Sequence, residues 1–509
     1  MGELAFDRRG LLRGGARLGL AAVLGGTLSG LMARQAMAAT GSGQLEPAMS
    51  PYGPIFPVKD RNTGLPLLKL PRGFSYSTFS WQGDRMSDGN RVRESHDGMG
   101  VVGLGGPGNR DVFLIRNHEA RRSSTILQCP GQYDTATQNF DGLGSGQLGG
   151  GCDVLRVRNG KLLDHRATIG GTIVNCAGGV TPWRTWITCE ETTYDGTGQG
   201  GRKHGYAFEC SANPNETTGE PLIGLGRFAH EAVAVDRYTG YVYETEDNRN
   251  LSGFYRFKPS DDSRRYGSLA RGGRLQAARV VGVPEARLLA LGGSNAVSQV
   301  GEVLPIEWVD IDDPDSDPVG SASGPYSEAV GKGALTMSRG EGIWYHDGAI
   351  ALTDTSFGRD GSGRDGRGLG AVWLYTPDRS DPERGTLKLV YTAAALVAGN
   401  NPDNLTISPR GGILTCDDGA EVEDEFGRGQ RLMGYTPSGE AYIFAKNNVV
   451  LDSRDIARMG RTGQFPPDDY RGDELAGACF DPRGDTLFVN VFTPGFTAAI
   501  HGPWRRGNL

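Results

Sequence analysis

Long apolar runs are absent from this chain after its first 38 residues, so no later segment has the roughly 20-residue length that a membrane-spanning helix needs. Stretches dominated by Ala, Leu, Glu and Lys are missing too, which argues against a helical bundle. Positive charge is in the minority, 53 Lys and Arg against 60 Asp and Glu. The formal charge is −7 overall; residues 1–38 carry five Arg against Glu3 and Asp7, a net +3, leaving about −10 for the remainder, a surface unsuited to nucleic acid. No G-x-S-x-G elbow occurs, which lowers the case for a serine hydrolase. Gly144-Ser145-Gly146-Gln147-Leu148-Gly149 spells a dinucleotide fingerprint, but no strand leads into it and no helix follows, so it reads as loop. The run from Gly358, GRDGSGRDGRGLG, lacks the spacing and terminal Glu of a calcium loop.

Glycine, by contrast, is abundant. The 80 glycines among 509 residues show no Gly-x-y period, and that mixture fits an all-β chain with many turns. The length allows two or three small domains or one large repeat domain. At the N-terminus, Asp7-Arg8-Arg9-Gly10-Leu11-Leu12 precedes a modestly apolar, glycine-broken segment and the small-x-small site Ala36-Met37-Ala38. This resembles a twin-arginine signal over residues 1–38. It implies periplasmic or secreted localisation through the twin-arginine export machinery, with no membrane attachment after cleavage. Seven cysteines, an odd number in an exported chain, leave at least one thiol unpaired in a monomer.

One pattern recurs six times. In "HEAVAVDRYTGYVYETEDNRN" the turn lies at Tyr238-Thr239, which sets Glu231 opposite Glu246. "SRGEGIWYHDGAIALTDTS" turns at Asp347-Gly348, a strong hairpin signal, and sets Glu341 opposite Asp354. By the same construction Asn404 meets Asp417, Cys176 meets Glu190, Asp97 meets Glu119, and Ala476 meets Asn490. Each hairpin is followed by one or two further apolar runs. Four strands per unit, repeated six times, predict a six-bladed β-propeller over residues 39–509, with an insertion at about 259–335 and "LPRGFSYSTFS" supplying the last blade's missing strand. A pair of β-sandwiches is the alternative.

Directly opposed residues of an antiparallel pair have Cβ atoms about 4.5–5.5 Å apart, so paired carboxylates there repel. In a propeller these pairs converge on the central axis, where bound cations are the economical compensation. Oxygen ligands suit Ca²⁺. Cys176 shares the register of Glu231 and Glu341, and a thiolate favours a softer ion such as iron or zinc. Arg339, two residues before Glu341, lies on the same strand face, placed either to hold a phosphate oxygen pair or to neutralise the acids. His96, His118 and His230 each precede an acid of the pattern and alternate away from it, so packing or support is expected of them.

The twin-arginine leader, "NHE" at 117–119, "NCAGGVTPWRTWITCEET", "FAHEAVAVD", "YETEDNRNLSGFYRF", "SRGEGIWY", "PDNL" and "DTLFVNVFTPG" together resemble the PhoX-type alkaline phosphatases. The resemblance implies a propeller whose axial site holds Fe³⁺ bridged to Ca²⁺ and hydrolyses phosphate esters. It makes Cys176 the iron thiolate, Glu231 and Glu341 metal carboxylates and Arg339 the phosphate grip; Glu119, Glu190, Glu246, Asp97 and Asp403 are further candidate ligands. The expected reaction is attack on phosphorus by a metal-bound hydroxide or oxo group, with Arg339 and Glu341 in the catalytic centre. Ser95-His96-Asp97-Gly98-Met99 departs from the family's Asn-Asn-Asp-type segment. Two other functions fit the acids: a calcium-dependent lactonase-like propeller, which has no use for Cys176 or Arg339, and a non-catalytic propeller that binds metal or a partner.

Overall fold

Local turn chemistry produces the hairpins. At Asp347-Gly348 both residues have positive φ, 46° and 88°, the two-residue turn that matches strand twist, and His346 pairs with Ala349 across it. Asp236 organises the longer turn before Gly240 by accepting from Tyr238 N at 2.8 Å and Thr239 Oγ1 at 3.0 Å. The structure, a computed structural model, describes residues 48–393, 395–436 and 440–509. The leader expected at 1–38 lies outside the described residues.

The six hairpins have inner strands His96–Gly105, Asn175–Val180, His230–Val235, Gly340–His346, Pro402–Ile407 and Leu475–Phe480. Neighbouring inner strands touch in chain order, and the sixth touches the first, so they close a ring. Outward from each lie its hairpin partner and further antiparallel strands, the architecture of a β-propeller. In the last sheet Phe496–His501 pairs on its outer edge with Ser75–Phe79, so a strand from near the start of the chain completes the sheet made by its end. Apolar side chains fill the space between successive sheets. Ile187, Val233 and Tyr255 share one such layer, and Leu414, Phe444 and Leu487 another.

Three expectations need correction. The stretch from residue 259 is not all insertion, because Gly273–Val280 is the outermost strand of the third sheet. Val303–Asp310 then bridges that strand to Arg384–Thr392, fusing the third and fourth sheets edge to edge, and Trp308 on the bridge donates to Tyr375 Oη at 3.2 Å. The second sheet has three strands among the described residues, Asn175–Val180, Trp186–Glu190 and Ala207–Cys210. Gly144–Leu148 is a short strand rather than loop, paired with Gln138–Phe140. No described helix is long and apolar enough to cross a membrane.

Candidate metal centre

All six inner strands break register at the same end. The pairing set by the turn holds from Val235↔Val242 to Val233↔Glu244, but the next pair is His230↔Glu246, not Glu231 with Glu246. Likewise Gly340 faces Asp354, Asn175 faces Glu190, Pro402 faces Asp417 and His96 faces His118; only Ala476↔Asn490 stands as expected. A β-bulge follows each of these pairs. Asp97, Cys176, Glu231, Glu341, Asp403 and Gly477 are the first bulged residues, released from the ladder and gathered around the axis.

The bulge has a packing cause. The residue after the released one is small at five of the six positions: Gly98, Ala177, Ala232, Gly342 and Ala478. A Cβ on Gly98 would lie 2.5 Å from Ala177 Cα, and one on Gly342 2.6 Å from Leu405 N, so neighbouring inner strands approach closely there. Carbonyls left unpaired by the bulge are taken by the preceding hairpin. Asn117 Nδ2 donates to Cys176 O at 3.1 Å and Ala177 O at 2.7 Å, Thr245 Oγ1 to Glu341 O at 2.5 Å, and Thr353 Oγ1 to Asp403 O at 2.6 Å. These clamps fix the backbone from which the axial side chains project.

The same one-residue offset sorts the acids of the second strands. Glu190 turns into the sheet, accepting from His204 Nδ1 at 2.8 Å, Gly205 N at 2.9 Å and Ile173 N at 3.1 Å. Burial lowers the basicity of His204, but Glu190 and Asp134 more than offset it and push the imidazole up to about 9, so the pair is ionic. Glu246 accepts from Tyr255 Oη at 2.5 Å, Asp354 from the backbone of Ser338 and Arg339, and Asp417 pairs with buried Arg431 at 2.8 Å. Glu190 and Glu246 therefore hold the sheets, contrary to the ligand role expected of them. The next residues, Glu191, Asp247 and Asp418, face the axis, and so do Glu119 and, from just before the sixth inner strand, Glu474.

Three groups of ligand atoms result, each with its members within 4.8 Å of one another: Cys176, Glu191 and Glu231; Glu231, Glu341 and Asp403; Asp403, Asp418 and Glu474. Glu231 and Asp403 belong to two groups each, so the groups form one chain across the ring. Asp97 and Glu119 adjoin it, Glu119 being among the charges that raise both Asp97 and Glu191. Burial first, and the neighbouring carboxylates second, raise Glu231, Glu191, Glu474 and Asp97 well above the ordinary range. The same causes push Glu119 up to about 7 and Asp403 to about 8. Burial, then Glu231 and Glu191, drives the Cys176 thiol upward as well. Asp97 Oδ1 is buried without a hydrogen-bond partner. An orphaned carboxylate oxygen within so much like charge fits cation ligands; the thiol end suits a soft ion and the all-oxygen end a hard one.

Arg339 stands at the middle of this chain. Its Nε donates to Asp247 Oδ1 at 2.6 Å, Nη2 reaches the other Asp247 oxygen, and Nη2 lies 2.9 Å from Glu341 Oε1. About a quarter of the side chain remains exposed, so its outer edge can meet a ligand. The histidines are buried behind the acids. His118 Nε2 lies 2.7 Å from Asp153, which Arg116 and His165 also contact; His96 contacts Arg93 O at 2.9 Å; and His230, stacked on Phe228, contacts Gly226 O at 3.0 Å. Packing and support, as expected, are their roles.

The fold and this centre define a class: a β-propeller whose axis carries a multinuclear cation site beside an arginine. The model of the family described as alkaline phosphatase PhoX matches residues 50–167 and 149–495, and the chain belongs to that family. It is a metal-dependent phosphatase. Among solved structures, the chain is similar to Pseudomonas fluorescens PhoX in complex with vanadate, a transition-state analogue, with 17% identity and a TM-score of 0.60 over 92% of this chain and 99% of that one. A Xanthomonas campestris gluconolactonase aligns over 91% of this chain and 99% of its own at 10% identity, with a TM-score of 0.38. No curated protein sequence matches the chain.

Proposed function

We propose that the axial centre hydrolyses phosphate esters with Ca²⁺ and Fe³⁺ as its resident ions, in a mature chain of residues 39–509 exported by a twin-arginine leader at 1–38. The observation that carries this reading is the chain of three ligand groups sharing Glu231 and Asp403, with Arg339 beside its centre. Cys176, Glu191 and Glu231 would hold iron; Glu341, Asp403, Asp418 and Glu474 would hold calcium, with Asp97 and Glu119 alongside. When bound, the ions neutralise phosphoryl charge and acidify water.

The protein's own residues then have distinct tasks. Asp247 and Glu341 fix the Arg339 guanidinium, so its outward-facing N–H groups meet two phosphate oxygens without first paying for side-chain ordering. That contact turns the ester oxygen away from the acids. A water oxygen bonds to phosphorus opposite the ester oxygen as the P–O ester bond breaks, and the alkoxide leaves with a proton from water. No side chain becomes covalently attached. That the Pseudomonas fluorescens relative was solved in complex with vanadate, a transition-state analogue, supports phosphoryl transfer as the chemistry. The test is release of p-nitrophenol from p-nitrophenyl phosphate across alkaline pH, with and without a calcium chelator. Activity that chelation abolishes and Ca²⁺ restores supports the reading; metal-replete protein without turnover overturns it.

A further inference from the structure

At the rim of the axial site two more arginines accompany Arg339. Arg249 lies two residues after Asp247, the residue that grips Arg339. Its Nη1 donates to Ser356 Oγ at 2.9 Å and to Gly366 O at 3.2 Å. Ser356 belongs to the segment packed under Arg339, where Asp354 accepts from Arg339 N at 3.0 Å and Thr355 N donates to Arg339 O at 3.0 Å. Arg249 and Arg339 thus flank one three-residue turn. Gly366 brings in the loop that carries Arg367, and Asn250 Nδ2 ties the same loop down at Asp365 O, 3.4 Å away.

Both rim residues are exposed, and among the described residues neither forms an ion pair with a carboxylate. The other arginines of this loop are spent: Arg359 pairs with Asp365 at 2.6 Å and Arg364 with Asp360 at 2.7 Å. Arg367 directly follows Gly366, whose carbonyl Arg249 holds, so the two arginines stand on adjoining backbone, and partial burial, then repulsion from Arg339 and Arg367, holds the basicity of Arg249 down. A protein with a net negative charge has acids available to pair these cations, yet keeps two of them free beside its phosphate-binding arginine. Arg249 still has Nη2 and Nε to offer, and Arg367 its whole guanidinium.

We infer that Arg249 and Arg367 bind a negatively charged leaving group, a second phosphate being the simplest, so that the site prefers bisphosphorylated substrates to their monophosphorylated counterparts. This rests on the phosphatase reading. While Arg339 holds the phosphoryl group under attack, the rim pair would hold the second anion outside the ring of acids, which would otherwise repel it. The contacts are at the surface, so they act mainly on binding and weaken with salt.

The test compares kcat/KM for glucose 1,6-bisphosphate and glucose 6-phosphate in the metal-replete full chain and in Arg249→Gln, Arg367→Gln and the double variant. A charge-assisted hydrogen bond of about 1.5 kcal/mol corresponds to roughly tenfold, so each substitution lowers the bisphosphate-to-monophosphate ratio up to about tenfold, chiefly through KM. Raising the ionic strength lowers the wild-type ratio in the same direction. An equal ratio in wild type and double variant overturns the inference while leaving the phosphatase reading intact. A wild-type protein that hydrolyses neither ester overturns both. Arg367→Gln breaks no side-chain hydrogen bond or ion pair among the described residues, so it gives an answer even if Arg249→Gln disturbs its loop.

Discussion

Glu190 and Glu191 are chemically identical neighbours to which the bulge assigns opposite tasks, and exchanging each for Gln separates those tasks. Glu191 lies within 4.8 Å of a ligand atom of Glu231. Two carboxylates at that distance repel by about 3.5 kcal/mol at an effective dielectric constant near 20. Protonation relieves part of this, so Glu191→Gln should stabilise the metal-free protein by about 1–2 kcal/mol. It should also remove metal from the thiol end of the centre and abolish phosphatase activity. Glu190→Gln breaks a fully buried ion pair with His204, a loss of about 3 kcal/mol, in metal-free and metal-replete protein alike. Its metal content should stay at the wild-type level. The assay is thermal unfolding with chelator and with added metal, paired with elemental analysis of the purified variants. Metal lost from Glu190→Gln and kept by Glu191→Gln would refute the register on which the site is built.

Other outcomes follow from the same geometry. Metal-free protein should lose stability as pH rises from about 4 toward 8, because Asp403 and Glu119, held at about 8 and about 7, bind protons in the folded state that the unfolded chain has already released. Metal-loaded protein should not show this decline, since its ligands are deprotonated throughout; equal pH profiles of melting temperature with and without metal would contradict it. Arg339→Ala should cut kcat/KM for p-nitrophenyl phosphate by about 10²–10³-fold, and Arg339→Lys should restore little of it, as a point charge cannot replace the fork. Cys176→Ser should lose iron preferentially over calcium by elemental analysis; equal loss of both would argue against a distinct thiol-bound position. Thr245→Val leaves the Glu341 carbonyl unpaired, and calcium should then be needed at several-fold higher concentration to restore activity after chelation.

Turn chemistry is local, and so the hairpins could be placed from the sequence. Asp347-Gly348 fixes its own pairing, and the alternation on either side needs no information from elsewhere. Closure by the strand near the N-terminus was legible for a related reason: one sheet was a strand short, and "FSYSTFS" was unclaimed. Register at the axial end was not legible, because the bulge that shifts it arises from the next inner strand pressing against Gly98 or Gly342, a contact between segments far apart in sequence. Cys176, Glu231 and Glu341, expected at the axis, do lie there, since the released residue sits beside the one that should have been paired. Glu191, Asp247 and Asp418 were missed by one position each. The doublets Glu190-Glu191, Glu246-Asp247 and Asp417-Asp418 carry the signal, a first acid for the sheet and a second for the axis. Glu474 precedes its strand and offered no periodicity to follow.

The pairing of Ser75–Phe79 with Phe496–His501 has a consequence for how the molecule is made. A ribosome releases Ser75–Phe79 long before Phe496–His501, so the first of these strands must wait through the synthesis of every sheet between them. Until then the acids of the separate hairpins lie far apart, and water dilutes their repulsion. Emergence of Phe496–His501, closure of the ring and assembly of a cation-binding centre therefore coincide, and a chain lacking either strand of this seam would be left with an open edge and scattered ligands.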